Sequence, residues 1–107
     1  MTWIGHSRGG EGVTIAYDNF FEGTWTSPNF TTADIQLVSS MAPTDFLLFN
    51  ESNPHGVNYH LWAAQADDDV NGCSNTPIVQ YYDLSERATQ NRQTIAIYGA
   101  GHGDLPD

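Results

Sequence analysis

The run Gly5-His6-Ser7-Arg8-Gly9-Gly10 separates a short apolar stub at residues 2–4 from a stretch with helical periodicity. A chain that must change from strand to helix so abruptly has few ways to fold. Reversing direction within one residue forces that residue into strained backbone geometry. Small residues two positions to either side, Gly5 and Gly9, keep the crossing segments from clashing. A serine at the reversal is lifted clear of the sheet, at the positive end of the helix. There the dipole and the backbone N–H of Arg8 can stabilise a developing negative charge.

The remaining pattern fits this opening. Residues 9–22 read as helix, because Val13, Tyr17, Phe20 and Phe21 fall on one stripe and Gly23 stops it. "SPNF" reads as a connecting turn. Residues 35–43 read as a buried strand ended by Pro43, and residues 59–66 as a third strand. Residues 77–89 read as a second helix with Pro77 in its first turn, and residues 93–99 as a fourth strand. Strands separated by helices or long crossovers predict an α/β protein with about four mostly parallel strands and flanking helices. With 107 residues the chain has room for a single domain, residues 1–107, and one modest core.

Charge narrows the partners. Thirteen acidic residues face three basic ones, all arginine, for a formal net charge of −10. Such a chain repels phosphates, which argues against nucleic acid and anionic membranes as partners. No apolar run approaches a membrane span. A lone cysteine, Cys73, forms no intrachain disulfide and points to no compartment. A phosphate-cradle reading of "GHSRGGEG" fails for want of a Walker lysine and of dinucleotide-type glycine spacing.

Strand before and helix after give G-x-S-x-G its meaning. On Gly5, His6, Ser7, Arg8, Gly9 and Gly10 the chain resembles the α/β-hydrolase superfamily, as a partial α/β-hydrolase fold. That resemblance implies a serine hydrolase of esterase or lipase type acting on small ester or acyl substrates, without a cofactor or metal. It also implies the chain order Ser, Asp/Glu, His, each at the C-terminal end of a strand. Ser7 is then the nucleophile, the Arg8 N–H half of the oxyanion hole, and His102, in "GAGHGD" after the fourth strand, the general base. His6 lies inside the turn, His55 in a polar loop and His60 within a strand pattern.

The acid is expected after the third strand, where "AAQADDDVNG" supplies three aspartates. Asp67, with Val70 three residues on, fits the family's spacing best; Asp69 and then Asp68 are the alternatives. Its task is to hold the tautomer of His102 and stabilise its cation. Asp67, Asp69, Asn71 and Gly72 also match the opening of a calcium loop, but Ile78 stands where the last glutamate ligand belongs. An acidic calcium-binding module is therefore a rival reading, as is a folded hydrolase piece without turnover. Residues 44–49 ("TDFLLF") and Trp62 could line a pocket.

The resemblance spans nearly all of this chain, whereas the chain spans only the second half of that fold. It implies a piece of a larger α/β-hydrolase that lacks the loop donating the second oxyanion N–H. The strand leading into the turn, central in the family, would then be a raw edge. A homodimer or higher oligomer that covers this edge is the expectation.

Overall fold

The computed structural model describes residues 1–43, 54–64 and 88–104. In chain order these form strand β1 (Thr2–His6), helix α1 (Arg8–Phe21), a 3-10 turn (Thr32–Asp34), and strands β2 (Leu37–Met41), β3 (Asn58–Ala64) and β4 (Arg92–Ile97). The four strands make one sheet in the order β1-β2-β3-β4. Every neighbouring pair is parallel, with Ile4 opposite Ser39, Ser39 opposite His60, and His60 opposite Gln93. The fold is α/β. All four strands therefore end on the same edge of the sheet, the edge where ligands gather in open parallel sheets.

The first expected helix and the four expected strands are present with shifted ends. β1 runs two residues further than the apolar stub, so Gly5 and His6 belong to the strand. α1 begins at Arg8, one residue before the expected start. The change of direction is thereby confined to Ser7. Of the second expected helix, residues 77–87 lie outside the described residues, and Ala88 and Thr89 carry no regular structure.

Strand alternation sorts the side chains onto two faces. Val38, Tyr59, Leu61 and Ala63 form the core with Tyr17 of α1, and Trp3 and Val13 pack against it. Burying a side chain the size of Leu61 stabilises by about 1.5–3 kcal/mol. The expected helix stripe holds at Val13 and Tyr17. Phe21 is still 45% exposed but lies 5.9 Å from the Tyr17 ring and 4.4 Å from that of His55. Helix and sheet approach closely at Gly10, where a Cβ would stand 2.9 Å from Cβ of Pro43. The same closeness explains a polar residue in a buried strand: the fully buried Ser40 donates its hydroxyl to the Gly10 carbonyl at 2.7 Å.

Ile4, His6, Leu37, Ser39, Met41, His60 and Trp62 alternate with that set and take the opposite face. Ile4 there is 60% exposed. Among the described residues, no helix is long and apolar enough to cross a membrane.

Candidate active site at the Ser7 turn

Ser7 sits between β1 and α1 at φ 57° and ψ −122°. These are the angles of the first central residue of a type II′ turn, a position that ordinarily requires glycine. Holding a serine there costs on the order of 1–3 kcal/mol. Three contacts impose the geometry. The Ser7 N–H donates to the Met41 carbonyl at 2.9 Å, carrying the β1–β2 ladder one residue beyond the strand. The Ser7 carbonyl accepts from the Gly10 N–H at 2.9 Å and the Glu11 N–H at 3.4 Å, closing the first turn of α1. Gly5, two residues upstream, lies so close to the backbone of Gly9 and Gly10 that it has no room for a Cβ.

The expectation that Gly5 and Gly9 share this steric task needs correcting. A Cβ on Gly9 would meet nothing within 4 Å. The crowded pair is Gly5 and Gly10, and Gly9 takes part through its main chain.

Serine at a helix N-cap normally spends its hydroxyl on a backbone N–H. Here the Ser7 side chain makes no such bond. The N–H of Arg8 lies in the first turn, where the helix's own ladder supplies no acceptor. Hydroxyl and amide are thus both presented at the positive end of α1.

His102 arrives from the far side of the sheet. β4 ends at Ile97, three strand positions from β1, or about 14 Å at ordinary strand spacing. The chain returns over a seam of small side chains. Ala100 packs on Ala64 at the end of β3 and on Ala42 just after β2, with Ile97 against them. Gly99, at φ 74°, lets the chain turn. A tight turn at residues 101–104 then closes on itself. The Gly101 N–H donates to Asp104 Oδ2 at 2.7 Å, and the Asp104 N–H donates to the Gly101 carbonyl at 3.1 Å. His102, 7% exposed, lies within that turn. Its ring centroid is 4.7 Å from that of His6, the residue before Ser7. The His6 ring nitrogen Nε2 lies 2.7 Å from the His102 carbonyl oxygen.

The structure therefore brings His102 to the residue adjoining Ser7 and places Arg8 at the start of α1. Asp67, Asp68 and Asp69 lie outside the described residues, as do residues 44–49 and the loop read as a calcium motif. Trp62 is half-buried in β3. Two contributors were missed in the sequence. His6 was read only as part of the turn, although its imidazole reaches the His102 backbone. Asp104 braces the turn that carries His102, which the spacing G-x-x-D after a strand could have suggested. Among the described residues, no cluster of three metal-ligating side chains occurs.

No protein-family model, curated protein or solved structure matches this chain.

Proposed function

We propose that this chain carries the nucleophile and general base of a serine hydrolase of the α/β-hydrolase type, acting on ester bonds. The observation that carries the proposal is the pairing of a serine at φ 57°, ψ −122° with a histidine delivered from the opposite edge of the sheet. A strained serine alone would be a local curiosity. A strained serine whose hydroxyl is withheld from helix capping, with a buried imidazole beside its neighbour, has the parts for acyl transfer.

In this reading Ser7 Oγ attacks the ester carbonyl carbon while its proton passes to His102. The carbonyl oxygen, now an oxyanion, is held by the Arg8 N–H at the positive end of α1. The C–O bond to the leaving alcohol breaks as His102 returns the proton to that oxygen. Water, deprotonated by His102, then releases the acid and restores Ser7. Asp67 is the proposed orienting acid, with Asp69 and Asp68 as alternatives. No metal or cofactor takes part in this scheme.

The test is covalent labelling with a fluorophosphonate, which reports an activated serine without requiring the natural substrate. Labelling of the wild type that disappears in Ser7→Ala and falls steeply in His102→Ala supports the reading. Absence of labelling in the folded wild type would reject it and leave a folded domain without turnover.

A further inference from the structure

We infer that His6 is a positioning residue that clamps the His102 turn over Ser7 by gripping its backbone. The consequence for catalysis rests on the serine-hydrolase reading above; the clamp itself rests on geometry.

The carrier of His102 has a long way to travel. From Ile97 it crosses towards β1 over Ala64 and Ala42, whose small side chains leave its path open. The bond between Gly101 and Asp104 makes the turn rigid within itself, without tying it to β1. A tie to β1 comes from His6, 96 residues away in the chain, through the 2.7 Å contact between its Nε2 and the His102 carbonyl oxygen.

A carbonyl oxygen can only accept, so Nε2 must carry the proton. The neutral ring is then the Nε2–H tautomer, and the imidazolium keeps the same donor. Fixing the peptide of His102 leaves only its two side-chain torsions free. The tilted ring contact, 41° between planes, restricts those further. Such restriction matters because a reacting group displaced by about 1 Å can cost 100-fold in rate.

Two measurements decide the matter. Long-range proton–nitrogen spectra of the labelled wild type read the His6 tautomer directly. The Nε2–H form is expected for the neutral ring, and the Nδ1–H form would overturn the clamp. Two variants then test its effect. His6→Phe keeps a ring but removes the donor, whereas His6→Gln retains an N–H at similar reach. His6→Phe should raise amide exchange at Gly101 and Gly103, and His6→Gln should restore protection. In fluorophosphonate labelling, His6→Phe should lower the maximal inactivation rate about 10- to 100-fold with little change in probe affinity, and His6→Gln should recover most of it. Wild-type-like labelling and exchange in His6→Phe would overturn the inference. If the wild type is not labelled at all, the hydrolase reading fails, while tautomer and exchange still decide the clamp. The tautomer measurement also stands if His6→Phe does not fold.

Discussion

Gly5 and Gly9 meet backbone to backbone: a Cβ on Gly5 would penetrate the carbonyl group of Gly9. The two glycines of the motif are therefore not equivalent, and substitution should separate them. Gly5→Ala must push β1 and α1 apart and should destabilise by about 3 kcal/mol or more. Gly9→Ala meets no neighbour and should be neutral or slightly stabilising. Gly12→Ala, also with open space around its Cβ, should gain about 1 kcal/mol from helix propensity. Chemical denaturation of the three variants checks this, and an undamaged Gly5→Ala would contradict the described crossing.

Ser7 is strained, and strain can be released. Ser7→Gly suits φ 57° without a side-chain penalty. It should raise stability by about 1–2 kcal/mol while abolishing fluorophosphonate labelling. Ser7→Ala should abolish labelling without that gain, because alanine still carries a Cβ. Equal denaturation midpoints for the two variants would show that no strain is stored at this residue.

Tyr17 sets an alkaline limit. Burial raises the pKa of its phenol, and the neighbouring charge of Asp18 adds to the effect. The folded state thus holds the phenolic proton more tightly than the unfolded chain, whose tyrosine ionises near 10. Stability from this group is intact below about pH 10 and is lost as pH rises through the higher folded value. Tyr17→Phe should be less sensitive in that range. Urea midpoints followed from pH 8 to 11 test the difference, and parallel losses in both proteins would assign the alkaline limit elsewhere.

Among the described residues β1 has a strand neighbour on one side only, that of β2. Among the described residues no strand lies on its other side, and Ile4 in this strand is exposed. We expect a second copy of the chain to pair there, giving a dimer in solution. Light scattering should report twice the chain mass at micromolar concentration, and Ile4→Lys should shift the population towards monomer. A monomeric wild type would remove this expectation.

The strands were legible because the two central ones write themselves as short, mostly apolar runs bounded by turn residues, as in "LVSSM" and "YHLWAA". The strand–serine–helix reversal was legible because the glycine-flanked serine stands between an apolar stub and a helical stripe. Less legible was anything set by approach between segments. Gly10 rather than Gly9 faces Pro43, and only the depth to which α1 sinks towards β2 decides between them. His6 and His102 illustrate the same limit. Alternation puts His6 on the face opposite α1, but its contact depends on how far the segment after β4 travels across the sheet. The order Ser7 before His102 could be read from the chain; the hand that one histidine lends the other could not.

The sheet adds its strands in the order in which the chain is synthesised. Among the described residues no strand has to be threaded between two that have already paired, so each can dock on the growing edge as it leaves the ribosome. The serine turn can form early, once β1, α1 and β2 have come together, yet His102 follows β4 and reaches the turn only after that strand has docked. The two halves of the candidate site would therefore meet late, one laid down with the first described strand and the other delivered by the last.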